Sequence, residues 1–145
     1  MNKILIVDDE PDIHEILKSY LSRIRDVEII SAFSAGEGIR LYKEMFIKGE
    51  KPSLVIMDLN LSGKNEIEID KIRMDGIRAT EKILEIDPEA IIWGYTAWFG
   101  TKWAEELKKV GAKIIFGRTT PFKEFAKMVE KFIQEKKSFL IPYLP

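Results

Sequence analysis

A doubly wound α/β domain, with parallel strands alternating with helices that cover both faces of one sheet, is the fold class this sequence predicts. Three observations lead there. The runs Lys3-Ile4-Leu5-Ile6-Val7 and Leu54-Val55-Ile56-Met57 are short, unbroken and branched, as strands buried on both faces are. The segments between such runs carry apolar residues at helical spacing, bounded by glycine and proline turn signals. Each of the two runs then ends in acid, Asp8-Asp9 after the first and Asp58 after the second.

The elements follow in order. After strand one, Pro11 suits the first turn of a helix, and Ile13, Ile16, Leu17, Tyr20, Leu21 and Ile24 form its apolar stripe. This spacing puts His14 on the exposed face. Val27 to Ala32 reads as strand two, and Ser34-Ala35-Gly36-Glu37 is a capping box opening a helix that bears Ile39, Leu41, Tyr42, Met45 and Phe46. Gly49 and Pro52 close that unit before strand three. A long polar loop leads from Asp58 to Gly76, where Ile77, Thr80, Ile83 and Leu84 mark helix three until Asp87-Pro88 stops it. Ala90 to Thr96 is strand four, with Trp93 and Tyr95 in the core. A helix from about Thr101 to Val110 ends at Gly111, Lys113 to Phe116 is strand five, and Thr120-Pro121 starts a last helix reaching about Glu135. The domain is expected over residues 1–136, with an apolar, proline-broken tail over 137–145.

Composition narrows the function. The 145 residues suffice for one domain with a full core, and a net charge of -1 with 32% charged residues argues against direct nucleic-acid binding. There is no cysteine, hence no disulfide frame, thiolate zinc site or thiol nucleophile. No apolar run approaches the ~18 residues a membrane span needs, and a strand begins already at Lys3, so neither a membrane anchor nor a signal peptide is expected. A cytoplasmic protein is the expectation.

The acidic strand ends carry the chemistry. Ligands of open α/β sheets sit beyond the carboxyl ends of the strands. If strands one and three are neighbours, Asp8, Asp9 and Asp58 converge there. Two like charges ~4 Å apart repel by about 4 kcal/mol at an effective dielectric of ~20, so the cluster calls for a cation. Its donors are all hard oxygens, which favours Mg²⁺ completed by water and phosphate oxygens.

Asp8-Asp9-Glu10-Pro11, Met57-Asp58, Met74-Asp75-Gly76-Ile77-Arg78-Ala79-Thr80, Thr96-Ala97, Gly111-Ala112 and Pro121-Phe122 stand in order, each at the end of the expected element. In this the chain resembles the receiver domain of response regulators in two-component signalling, over nearly its whole length. The resemblance implies a flavodoxin-like (βα)5 sheet of strand order 2-1-3-4-5. It implies Asp58 as phosphoacceptor, Asp9 as a direct Mg²⁺ ligand, Asp8 as a ligand through water, and the backbone carbonyl of Asn60 as a further one. Thr96 matches the hydroxyl, and Ala97 the backbone N–H, that bind phosphoryl oxygens. The residue chemistry agrees, because a carboxylate is a weak nucleophile helped by a screening metal and by donors aimed at the equatorial oxygens. Implied partners are a histidine kinase or phosphotransfer protein and a downstream protein; the family is a phosphoacceptor switch rather than a conventional enzyme.

Two departures stand out. The family has a Lys directly before Pro-Phe, whereas here Gly117-Arg118-Thr119-Thr120 precedes Pro121, and counting from Gly111-Ala112 puts Arg118 at the Lys position. An Arg supplies the charge as a planar fork rather than a point. Lys64 to Arg73 reads as an insertion beside the acceptor. Lys123 is expected on a solvated helix face. The same count leaves Ile115 or Phe116 at the family's switch position, with adjacent residues facing opposite ways. Trp98, Phe99 and Trp103 crowd the segment after Thr96, which suits either helix packing or a docking patch. The alternative function is a pseudo-receiver that binds partners without being phosphorylated. A haloacid-dehalogenase-like phosphatase wants Asp-x-Asp after its first strand, which Val7-Asp8-Asp9-Glu10 lacks, and a flavodoxin wants a Ser/Thr/Gly-rich phosphate loop there.

Overall fold

Strands β1 (Asn2–Val7), β2 (Val27–Ala32), β3 (Leu54–Met57), β4 (Ile92–Thr96) and β5 (Ile114–Gly117) alternate with helices α1 (Pro11–Leu21), α2 (Ala35–Ile47), α3 (Asp75–Ile86), α4 (Lys102–Val110) and α5 (Phe122–Leu140). This is a computed structural model, and it describes residues 1–59, 61 and 75–140, with side chains through 135. The strands pair in parallel in the order β2-β1-β3-β4-β5, the flavodoxin-like arrangement expected. The central strands are the most apolar. Ile4 to Val7 of β1 and all of β3 are buried, whereas the edge strands β2 and β5 are partly exposed.

Because side chains alternate along a strand, each central strand feeds two cores. Leu5, Val7, Val55, Met57 and Ile92 pack with Tyr42 of α2, Ile83 of α3 and Leu107 of α4. Ile4, Ile6, Leu54, Ile56, Trp93 and Tyr95 face the other way, onto Leu17 of α1 and Phe125 and Val129 of α5. Trp93 and Tyr95 are therefore core, as expected. Truncating a residue such as Leu5 or Leu54 to Ala would cost about 2–5 kcal/mol through lost burial and the cavity left behind.

Local signals fix the ends. Ser34 accepts the Glu37 N–H at 3.1 Å, while Glu37 Oε1 accepts the Phe33 N–H, so the expected capping box forms with its return bond one residue early. Thr101 caps α4 through the Ala104 N–H. Gly76 starts α3 against the end of β3, where a Cβ would run into the Asp58 carbonyl oxygen and the Leu59 backbone, so no larger residue fits. Several boundaries differ from expectation, α1 ending at Leu21, before Ile24, among them. β4 begins at Ile92 rather than Ala90, because the Glu89 and Ala90 N–H groups turn back onto Asp87. β5 lies one residue later, pairing Thr96 with Gly117. α5 continues through Leu140, since no glycine or proline interrupts it before Pro142. No helix among the described residues is long and apolar enough to cross a membrane.

Candidate functional site

Parallel pairing of β1 with β3 sets Val7 beside Met57, so the residues that follow them meet at one end of the sheet. Carboxylate oxygens of Asp8, Asp9 and Asp58 all lie within 4.8 Å of one another. Thr96, fully buried at the end of β4, and Arg118, just past β5, complete the rim. Four strand ends therefore supply the cluster, and the sheet order brings them together.

Asp8 is the anchored member. Only 3% exposed, it accepts the Glu10 N–H on Oδ1 at 2.9 Å and the Arg118 Nη2–H on Oδ2 at 2.7 Å. Asp58 is less well served. Its Oδ1 accepts the Leu59 N–H at 2.8 Å, and Arg118 Nη2 stands 4.0 Å away. Burial first, and the Asp8 charge second, push the Asp58 carboxyl up to about 7 against the opposing pull of Arg118, the Thr96 hydroxyl and the Leu59 N–H. Burial and then Asp8 also raise Asp9 above the ordinary carboxylate value. Two of three carboxylates thus hold protons more tightly than usual. An all-oxygen donor set with mutual repulsion of this kind fits a hard divalent cation.

Arg118 is held before it reaches the acids. Its Nε and Nη2 donate to the Tyr95 carbonyl at 3.1 and 2.9 Å, its guanidinium lies 4.9 Å from the Tyr95 ring centroid, and its N–H donates to the Thr96 carbonyl. The count from Gly111 thus leads to a cation that does enter the acidic cluster. The planar fork explains the double duty, since one face grips a backbone carbonyl while Nη2 points at Asp8. Lys123 is exposed, as expected. Thr96 Oγ1 accepts the Trp98 N–H at 3.1 Å, which shapes the turn carrying Ala97. Ala97, Phe99, Gly117, Arg118 and Thr119 line an open recess of about 360 Å³ beside the cluster.

The aromatic residues after Thr96 divide. Trp98 and Trp103 are half-buried against the α2–α4 core, whereas Phe99 is 57% exposed with its Cβ close over Gly117. Ile115 packs into the α4-side core and Phe116 into the α5-side core, against Trp93 and Phe125. Asn60 and the Lys64 to Arg73 insertion lie outside the described residues.

Two assignments on α1 are overturned. His14 is not on an exposed face; it is 2% exposed, with Nε2 2.7 Å from the Asp8 carbonyl oxygen and Nδ1 2.9 Å from Ser31 Oγ. Ile16, assigned to the apolar stripe, is on the exposed side instead. The signal was present, because residues 14, 17 and 21 fall on one helix face with Leu17 and Leu21. A polar side chain belongs on that face because a buried carbonyl there needs a donor. Sequence reasoning also missed Tyr95 as the backbone anchor of Arg118.

Residues 4–130 match the family model of the response regulator receiver domain. Among curated relatives, protein-glutamate methylesterase/protein-glutamine glutaminase 1 of Syntrophus aciditrophicus is 32% identical over 102 residues, which are 70% of this chain and 25% of that protein. The chain spans from a quarter to about half the length of the curated relatives it matches. Among solved structures, a LuxR-family two-component response regulator from Aurantimonas sp. SI85-9A1 is 28% identical with a TM-score of 0.72, covering 92% of this chain and 85% of that one. A CheY-like receiver domain protein from Methanospirillum hungatei JF-1, 20% identical, shares the fold with a TM-score of 0.74 over 95% of this chain and 98% of its own.

Proposed function

The chain belongs to the response regulator receiver domain family of two-component signalling, and from that premise we propose that it is a cytoplasmic phosphoacceptor switch that takes a phosphoryl group onto Asp58 and signals through changed partner binding. The observation that carries this reading is the convergence of Asp8, Asp9 and Asp58 within 4.8 Å at the strand ends, with Thr96 and Arg118 on the rim. In the transfer, a carboxylate oxygen of Asp58 attacks phosphorus. The new O–P bond forms as the P–N bond to the donor's imidazole breaks, and the electron pair stays on that nitrogen. Bound Mg²⁺, for which Asp8, Asp9, Asp58 and the Asn60 carbonyl are the candidate ligands, supplies charge neutralisation for the incoming phosphoryl group. The Thr96 hydroxyl and the Ala97 N–H then serve the equatorial oxygens, and Arg118 adds a cation in place of the family Lys. The donor is a histidine kinase or phosphotransfer protein, and the exposed Phe99, beside Trp98 and Trp103, is our candidate contact for the downstream protein.

A second reading, a pseudo-receiver that binds partners without phosphorylation, draws on one observation. Arg118 is already committed to Asp8 and to the Tyr95 carbonyl, and it reaches Asp58 only at 4.0 Å. Incubation with a small phosphodonor and Mg²⁺ separates the two. A phosphoprotein that forms only with the metal, and is lost in Asp58→Asn, supports the switch. A chain that takes up no phosphate under conditions that label another receiver domain is a pseudo-receiver.

A further inference from the structure

We propose that His14 is a positioning residue of the metal site, holding the Asp8–Asp9 peptide so that the two carboxylates converge; the inference rests on the metal-dependent reading above and adds a residue to it. The β1 ladder ends at Val7, where Asp8 donates its N–H to Ala32 and Asp58 donates its own to Val7. The Asp8 carbonyl is the first one beyond that ladder, and it is buried. His14 Nε2, at 2.7 Å, satisfies it. A carbonyl oxygen only accepts, so Nε2 carries the proton in this contact.

Ser31 Oγ, 2.9 Å from Nδ1, selects that arrangement by donating to the opposite nitrogen. The ring is further held by Phe33, with centroids 4.2 Å apart. Ser31 belongs to β2 and Phe33 follows its end, so the imidazole ties three elements to a single peptide bond.

That peptide matters because it is planar and shared. The carbonyl of Asp8 and the N–H of Asp9 lie in one plane, so fixing the carbonyl fixes ψ of Asp8 and φ of Asp9 together. Those two angles set the relative direction of the two side chains. The Asp8 carboxylate is separately held by Glu10 N–H and Arg118; the Glu10 bond is an Asx turn that grips the same peptide from the carboxylate side, and His14 grips it at the carbonyl. An apolar residue at position 14 would leave the Asp8 carbonyl without its donor and the peptide held from the carboxylate side alone. Groups that orient metal ligands from behind are typically worth about 10–100-fold in metal affinity.

The test is Mg²⁺ titration of the full chain by calorimetry, with the melting temperature measured in parallel. His14→Leu, which fills the volume and removes both hydrogen bonds, should weaken Mg²⁺ binding by about tenfold. His14→Gln, whose amide nitrogen falls near Nε2, should recover most of the affinity, while His14→Asn, whose amide nitrogen falls near Nδ1, should not. A purely structural histidine predicts lowered melting temperatures in all three with Mg²⁺ affinity within about twofold of the parent, and that result overturns the proposal. If His14→Leu does not fold, the Gln and Asn pair decides, and equal affinities in those two overturn it. A parent chain with no Mg²⁺ response would bring down the metal reading itself, whereas a responsive parent with indifferent variants would bring down His14 alone.

Discussion

Asp87, at the end of the sheet where the strands begin, and Asp58, where they end, are both carboxylates withdrawn from solvent, yet they are treated in opposite ways. Asp87 receives the Tyr42 O–H at 2.7 Å and the Lys51 ammonium at 3.1 Å on one oxygen and the Glu89 N–H at 3.0 Å on the other. Burial pushes its carboxyl up, but these three donors outweigh that and hold it below the ordinary value. Among the described residues Asp58 has the Leu59 N–H and the Thr96 hydroxyl as near donors but no cation closer than Arg118 at 4.0 Å, and with two acidic neighbours it ends high. Burial therefore does not distinguish structure from function. The balance of charges and donors does: where donors include a lysine close by, the acid is a rivet between α2 and the turn before β4; where like charges outweigh them, the acid is left raised, as the proposed phosphoacceptor role requires.

The largest expected effect is on pH dependence. The Asp58 pKa is pushed up to about 7 in the folded chain, from an ordinary value of 3.8. Between those values the folded state binds more protons than the unfolded one, so metal-free stability falls as pH rises through the window. Raising that carboxyl from 3.8 to about 7 corresponds to about 4 kcal/mol as an upper figure. Asp58→Asn should flatten that slope, raise the metal-free melting temperature above pH 7, and weaken the Mg²⁺-induced shift. Thermal melts from pH 4 to 8, with and without Mg²⁺, measure this, and an unchanged slope in the variant would mean that Asp58 is no more strained than Asp87.

The opposite sign is expected at the other end. Because the Asp87 carboxyl is held low, its stabilisation is present above the ordinary carboxylate value and is lost as pH falls through the lowered one. Asp87→Ala strands the buried Tyr42 hydroxyl and should cost about 3 kcal/mol at pH 7, with the Mg²⁺ response intact. Tyr42→Phe, which removes one donor, should cost about 1 kcal/mol. Denaturant midpoints with and without Mg²⁺ check both variants. A lost Mg²⁺ response in Asp87→Ala would show that the two ends are coupled and would break the comparison.

Arg118 is the cation at the Asp58 end among the described residues, and it serves Asp8 better, at 2.7 Å against 4.0 Å. Arg118→Ala should weaken binding of beryllofluoride, a phosphoryl mimic, by about tenfold, or about 1.4 kcal/mol, because charge-assisted bonds to an added anion are lost. Mg²⁺ binding should weaken less, or tighten, since a competing cation leaves Asp8. Titration of both ligands measures the contrast, and equal losses for the two would mean that Arg118 merely holds the site's shape.

Much of this was legible in the sequence, for physical reasons that also mark its limit. Buried strands announce themselves through unbroken apolar runs, and a residue just past such a run must lie at the sheet's edge, so Asp8, Asp9, Asp58 and Thr96 could be placed. Arg118 could be counted from Gly111, but its anchor on the Tyr95 carbonyl depends on β4 pairing with β5, which no local pattern encodes. The Asp87 network is hidden for the same reason, joining residues 45 and 36 positions apart. His14 was misplaced because hydrophobic periodicity counts a histidine as polar. It cannot know that a carbonyl six residues earlier would be buried against that face.

The remaining expected effect concerns how long the phosphoryl group would last. Trp98 follows Thr96 by two residues, donates its N–H to the Thr96 hydroxyl and packs half-buried against the core beside the site. An aspartyl phosphate is lost to water arriving in line with the departing carboxylate. An indole that shielded that approach would exclude water, and its one N–H donor could not serve as a general base. Trp98→Ala should therefore shorten the phosphoprotein lifetime by up to about tenfold, equivalent to about 1.4 kcal/mol of barrier. Following phosphate release from the purified phosphoprotein in excess Mg²⁺ measures it directly. If Trp98→Ala loses phosphate no faster than the parent, the indole is a packing residue like Trp103, and water access to the acidic end is controlled by other residues.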